Sequence, residues 1–337
     1  MPTLHILSNP NSPVHIDNRI DAFSIAVVKF IDNMTLLGWG CVHYGIVGCK
    51  VNCETVICLP TLNNNIDLYN TIAGEEIAKR KQPGDLIMCF HGWENQKAAE
   101  ANSDLPIVEP SIGYDVTAVF APYRAFVSYA QMHMFYADRK MSLTPSWYDA
   151  VIPNAFSVDE FEFNEKKGDY FLCFGRVTKL KGIDIAIQAT EKTGTKLIIA
   201  GPGTLEELGY SSIPSHVTCV GLCNADQRKA LMRDARAILG PTYYVEPFGN
   251  MIVEGYLSGT PAITTDWGGF TETVVNSITG YRCREFREFV EAIENIDKIN
   301  PHTCRQWAIE NYSEQVVHKQ FDAYFKKILA ADFYRTS

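Results

Sequence analysis

Tyr170-Phe171-Leu172-Cys173-Phe174-Gly175-Arg176-Val177-Thr178-Lys179-Leu180-Lys181-Gly182-Ile183 is the stretch from which the fold can be read. Its first five residues are apolar without alternation, the pattern of a strand buried on both faces in a parallel sheet covered by helices. The strand ends at Gly175, a loop with Arg176, Lys179 and Lys181 follows, and residues 183–193 have the spacing of an amphipathic helix. In open α/β sheets ligands gather at the carboxyl ends of the strands, which is where these cations stand.

The alternation continues outward. Downstream, residues 196–200, 217–220, 237–239 and 261–264 read as strands, and 224–234 and 251–258 as helices. Upstream, residues 4–7, 41–44, 55–59 and 85–90 read as strands, and 23–37 and 67–79 as helices. A charged run at 159–168 separates the two series. The reading is an α/β fold of two doubly wound, Rossmann-like domains facing a cleft, residues 1–157 and 158–312. Residues 304–331 carry one long helical pattern broken near Ser313; its last part, in the tail of residues 313–337, places Val316, Val317, Phe321, Tyr324, Phe325 and Ile328 on one side. That stripe needs a partner, and the tail is predicted to cross back onto the N-terminal domain.

The 337 residues carry a net charge of −9, with 46% hydrophobic and 20% charged residues, an ordinary globular composition. It excludes general disorder. The acidic balance argues against a protein that coats nucleic acid or an anionic membrane, so no stable nucleic-acid partner and at most peripheral membrane contact are expected. No apolar run reaches the 18 residues of a spanning helix, and the first seven residues lack a basic leader, so a cytoplasmic location is expected. The ten cysteines include no C-x-x-C pair and read as reduced, buried thiols; no metal site is expected.

The densest chemical signal is Tyr243-Tyr244-Val245-Glu246-Pro247-Phe248-Gly249-Asn250-Met251-Ile252-Val253-Glu254-Gly255. Glu246 precedes a proline and is therefore extended. Gly249 and Asn250 open a helix whose unpaired amides favour a phosphate, and Glu254 lies about one turn inside it. Carboxylates so close to a phosphate site are better used on neutral hydroxyls of a ribose or a sugar ring. Arg176 offers a planar fork and Lys181 a point charge, a pair suited to a diphosphate. Leu197-Ile198-Ile199-Ala200-Gly201-Pro202-Gly203 runs from a strand into a glycine-rich turn, but lacks the third glycine of a dinucleotide fingerprint. Gly268 and Gly269, after a later strand, would let the backbone approach a ligand closely. Taken singly, each feature also has an ordinary structural reading; together they sit on strand ends of one domain.

G-R-x4-K-G at 175–182, A-G-P-G at 200–203 and E-P-F-G-x4-E at 246–254 resemble, in order and spacing, the nucleotide-sugar domain of family 4 glycosyltransferases. The resemblance covers residues 150–285 and implies a two-domain GT-B enzyme that transfers a sugar with retention of anomeric configuration. It implies that Arg176 and Lys181 bind the donor diphosphate. Glu246 would bind the sugar hydroxyls near the amides of Gly249 and Asn250, and Glu254 the ribose. Gly201, Pro202, Phe248 and Met251 join the donor side. Ile152-Pro153-Asn154 resembles the family's hinge, with Ala155 in place of its glycine.

The N-terminal half fits less well: Asn9-Pro10-Asn11-Ser12-Pro13 stands where family members usually have a glycine-rich loop. His91 is the nominee for the histidine that faces the transferred sugar in many members. The segment from Glu109 through Gly113 to Tyr114 could occupy that strand end instead, and Asn9, Glu109, Gly113 and Tyr114 are candidates for the acceptor or sugar side. The expected activity is transfer from a nucleoside-diphosphate sugar to a hydroxyl of a glycan or glycoconjugate, catalysed by Glu246, Arg176, Lys181 and His91 without a further cofactor. A sugar-nucleotide 2-epimerase of the same architecture and a non-catalytic nucleotide-sugar-binding protein are the alternatives.

Overall fold

The computed structural model describes residues 2–17, 22–62, 64–141 and 145–330. The chain divides into two compact units, residues 1–155 together with the segment from Glu314, and residues 156–313.

The first unit holds a seven-stranded sheet of β1 (Thr3–Leu7), β2 (Gly40–Ile46), β3 (Glu54–Leu59), β4 (Leu86–Cys89), β5 (Ile107–Ile112), β6 (Tyr123–Phe126) and β7 (Ala150–Val151). Every pairing is parallel and the order is β3-β2-β1-β4-β5-β6-β7. The second unit repeats the plan with β8 (Tyr170–Phe174), β9 (Lys196–Ala200), β10 (Val217–Gly221), β11 (Ala237–Gly240), β12 (Ala262–Thr265) and β13 (Gly280–Cys283). Its order is β10-β9-β8-β11-β12-β13, again all parallel. The central strands are apolar on both faces because helices cover both sides: β4 is fully buried, and so are Phe171 and Leu172 of β8.

In each sheet the strand order reverses once, between β1 and β4 and between β8 and β11. At such a point the connections leave in opposite directions and open a crevice at the strand ends. Asn9 follows β1 and His91 follows β4; Arg176 follows β8, and the Tyr243–Gly249 loop follows β11. Topology alone thus gathers the nominated residues of each unit.

The long helical pattern that leads into the tail is two helices, Pro301–Tyr312 and Glu314–Ala330, with Ser313 extended between them. The first packs on the Asn250–Leu257 helix of the second unit. The second belongs to the first unit, as its stripe demands: Val317, Phe321, Phe325 and Ile328 are buried in one cluster with Phe30, Ile31 and Trp39. The Phe30 ring meets Phe321 edge-on at 5.5 Å, and Trp39 meets Phe325 at 5.7 Å. The Trp39 indole donates to Asp322 at 3.0 Å, and the Tyr324 hydroxyl lies 2.8 Å from the Tyr148 carbonyl. Residues 331–337 of the predicted tail lie outside the described residues. The short strands β6, β7 and β13 escape the sequence reading because β7 has two residues and an arginine interrupts each of the others, where the equally short β4, β11 and β12 carry no charged residue.

Candidate functional site

At the second unit's crevice, Gly175 turns the chain at φ +131 and Arg176 stands exposed, with no ion pair to any described residue. Lys181 reaches back from the next turn. Its Nζ donates to Glu246 Oε2 at 3.0 Å and to the Tyr244 hydroxyl, which itself donates to the same Glu246 oxygen. The ammonium also lies 4.9 Å from the centre of the Tyr244 ring. Burial, with Glu246 adding to it, raises the Tyr244 hydroxyl well above its ordinary value, so it serves as a donor. A small open hollow is lined by Gly175, Arg176, Lys181, Gly240, Thr242 and Met251. Sequence reasoning missed Tyr244, although it lies within the quoted motif two residues from Glu246.

Glycines hold this arrangement together by packing backbone on backbone. A Cβ on Gly182, which has φ +66, would fall 1.7 Å from the Pro241 carbonyl oxygen, so only glycine lets the Lys181 loop lie on the end of β11. Gly201 at φ +148 presses on Gly175 in the same way, and the Val177 amide donates to the Pro202 carbonyl at 2.8 Å. Gly201 is buried and thus acts by placing the Arg176 loop. Gly268 and Gly269 also differ from their reading. Their close approach is to the protein's own chain: a Cβ on either would come within 2.8 Å of the Glu246–Phe248 backbone, and the Gly269 amide donates to the Glu246 carbonyl at 2.7 Å. The Phe248 side chain is buried between the rings of Phe156 and Tyr312, which leaves it the task of anchoring the loop. Gly249 at φ +90 then starts the Asn250–Leu257 helix, with Asn250 exposed on its first turn.

Glu254 lies deeper in that helix, 9% exposed. Arg228, on the Ala225–Asp234 helix, holds it across 3.4 Å and packs its guanidinium 5.9 Å from the Phe174 ring centre. Nothing in the spacing of the sequence pairs residues 228 and 254.

In the first unit the structure brings His91 and the loop after β1 together. The Asn95 side chain accepts from the His91 amide at 2.9 Å and donates to the Ser8 carbonyl at 3.0 Å. Glu94 lies 3.8 Å from His91 Nδ1 and accepts from Asn11 at 3.1 Å. Asn9 turns the loop by accepting from the Asn11 amide. Phe23 stands beside both His91, at 5.3 Å, and Tyr114, at 6.5 Å. Of the two segments nominated for the strand end, His91 keeps a partly exposed ring. Glu109 is fully buried: it accepts from the Tyr114 hydroxyl at 2.8 Å and from the amides of Phe120 and Ala121 at 3.0 and 2.8 Å. Burial raises its carboxyl to about 7. Its oxygens are spent inside the fold, and Gly113 packs toward Val127. Asn11 and Glu94 were not singled out from the sequence; their contact joins residues 83 positions apart.

All ten cysteines are free thiols. Among the described residues no group of three or more His, Cys, Asp or Glu side chains is placed to hold a metal ion. Among them, too, no helix is long and apolar enough to cross a membrane.

Residues 157–313 match the family of glycosyl transferases group 1. The resemblance read from the three motifs is shown for this part of the chain. An uncharacterized glycosyltransferase of Methanocaldococcus jannaschii is 32% identical over 161 residues, which cover 41% of this chain and 41% of that relative. The match therefore spans about two fifths of the relative's length. Among solved structures, a glycosyltransferase involved in avilamycin A biosynthesis superposes with a TM-score of 0.75 at 17% identity, over 98% of this chain and 99% of that one. The Anabaena protein HepE in complex with UDP-glucose gives a TM-score of 0.71 at 14% identity, over 96% and 99%. The fold is GT-B.

Proposed function

We propose that the chain is a retaining glycosyltransferase that moves a sugar from a nucleoside-diphosphate sugar to a hydroxyl of a glycan or glycoconjugate. The observation that carries this reading is the cluster at the crevice of the second unit. There an exposed arginine, a lysine, a loop carboxylate and a helix start stand within the residues that match the family. Arg176 and Lys181 take the diphosphate, with the amides at Gly249–Met251 beside them. Lys181 rests on Glu246, and donor binding exchanges that partner for a phosphate oxygen. Glu246, held by Tyr244, then accepts from the sugar hydroxyls, and Glu254 accepts from the ribose. HepE is solved with UDP-glucose, which supports a uridine nucleotide as the first to try.

As the bond between the anomeric carbon and the phosphate oxygen breaks, its electron pair leaves with the diphosphate. Fixed cations at that oxygen favour the transition state over the bound donor. The acceptor oxygen attacks the anomeric carbon from the same face, and its proton passes to the departing phosphate oxygen. In the first unit His91, steadied by Glu94, and Asn9 are assigned to the sugar and acceptor side. The cations replace a divalent ion in this scheme, so turnover persists in EDTA.

The test is a thermal-shift screen of nucleotide sugars, where a ligand at 100 times its Kd adds about 2.7 kcal/mol. Incubation with the stabilising donor and candidate glycans, with anomeric configuration read by NMR, follows. A glycoside with the donor's configuration supports the reading; inversion, or epimerised donor without transfer, overturns it.

A further inference from the structure

Arg228 is expensive for the fold. Its Nε is buried and finds no hydrogen-bond partner among the described residues, although the same guanidinium reaches Glu254 with Nη2 at 3.4 Å. A buried N–H without an acceptor is destabilising, whereas an apolar side chain would pack on Phe174 with no such penalty. Sites that keep a locally unfavourable residue are commonly sites with a task. Glu254 is the neighbour that needs one. It is nine-tenths buried on a short helix, and a carboxylate that must choose among hydroxyls has to be fixed in orientation as well as present. The planar guanidinium, lying against the Phe174 ring and reaching Glu254 through Nη2, fixes one direction of approach that a flexible lysine would not. The two residues come from different helices, Ala225–Asp234 and Asn250–Leu257, so the pair also ties together the elements following β10 and β11.

We infer that Arg228 is a specificity-determining positioning residue: it aims Glu254 at the ribose hydroxyls and so sets the preference for ribonucleotides over 2′-deoxyribonucleotides. This rests on the donor-site reading proposed above. The experiment is calorimetric titration of the full chain with UDP, ADP and GDP, and with the 2′-deoxy form of whichever binds most tightly. It is run on the native protein and on Arg228→Gln, Arg228→Lys, Glu254→Gln and the double variant Arg228→Gln/Glu254→Gln, with a melting curve for each.

The native protein should prefer the ribonucleotide by on the order of tenfold to hundredfold, the range of one hydrogen bond to a charged group. Arg228→Gln should bring the ratio close to one and, because it leaves the buried Glu254 carboxylate without its cation, should also melt lower; Arg228→Lys should keep part of the ratio, and the double variant should lose no more of it than Glu254→Gln alone. An Arg228→Gln protein that melts lower yet keeps the native ratio marks Arg228 as purely structural and overturns the inference. Losses that simply add in the double variant overturn it as well. Failure of the native protein to bind any of the three diphosphates overturns the donor-site reading itself, and this inference with it.

Discussion

The two units share a topology and differ in how they use it. At the crevice of the second, charge is turned outward: Arg176 stands exposed, and Lys181 rests on Glu246 through an exchangeable contact. At the crevice of the first, one carboxylate is turned inward, Glu109 buried among amides, and no Lys or Arg stands among the residues placed at the surface: Phe23, Asn9 and a partly exposed His91 beside Glu94. The cores differ too. The second unit closes over itself with Pro301–Tyr312, while the first is completed by Glu314–Ala330, from the far end of the chain. Equal strand order therefore fixes where a ligand can sit, and the side chains decide which kind.

The harshest way to break this comparison is to end the chain after Tyr312. That removes Val317, Phe321, Phe325 and Ile328 from the first core. At about 1.5–3 kcal/mol for each large apolar side chain, the loss exceeds roughly 5 kcal/mol, comparable with the whole stability of a domain. Differential scanning calorimetry should show one transition lost and that of the second unit retained. A chain that melts as before would mean that the helix is an appendage.

Next come the outward charges. Arg176→Ala and Lys181→Ala should each lower kcat by about 10²–10³, or roughly 3–4 kcal/mol of transition-state stabilisation, with melting temperatures little changed. Full activity in either variant removes that residue from the site. The two glutamates should then part company. Glu246→Gln should lower kcat strongly, because the sugar it holds changes charge and shape during reaction. Glu254→Gln should mainly raise KM and the Kd of the free nucleoside diphosphate, because the ribose does not react. Identical profiles for the two variants would mean that the roles are misassigned.

The smallest effect concerns the inward charge. Burial raises the Glu109 carboxyl to about 7, so between pH 4.5 and 7 the folded state holds a proton that the unfolded state has released. Stability from this group is fully present below pH 4.5 and is lost as pH rises through that window. Glu109→Gln should flatten the decline by up to roughly 3 kcal/mol while leaving donor affinity unaltered. A changed Kd for the nucleotide would place Glu109 in a wider role than holding Tyr114.

The same contrast explains what could be read in the sequence. The donor side was legible because its pieces are contiguous: a strand, a glycine and a cation within residues 170–182, and a loop carboxylate and helix start within residues 243–255. The long apolar strands and the tail's stripe were legible by periodicity. Glu94 with Asn11, Glu109 with the Phe120 amide and Arg228 with Glu254 were not, because each pair is made by folding across many residues and neither member is unusual alone. The glycines at 268 and 269 were read as room for a ligand, when the nearest backbone was the protein's own. Sequence shows that a close approach exists but does not name what approaches.

The crossing of the chain also sets an order of events during synthesis. Residues 1–155 leave the ribosome first, yet the surface formed by Phe30, Ile31 and Trp39 has no cover until residues 314–330 follow. At about 5–20 residues per second, the intervening stretch takes on the order of ten to thirty seconds to make. Throughout that interval the first unit is an open half-core, whereas the second needs no segment beyond Ser313. Chains ending at Ser313 should be cut readily by protease in the first 155 residues and resist it in the later ones, so that the unit made first is the one finished last.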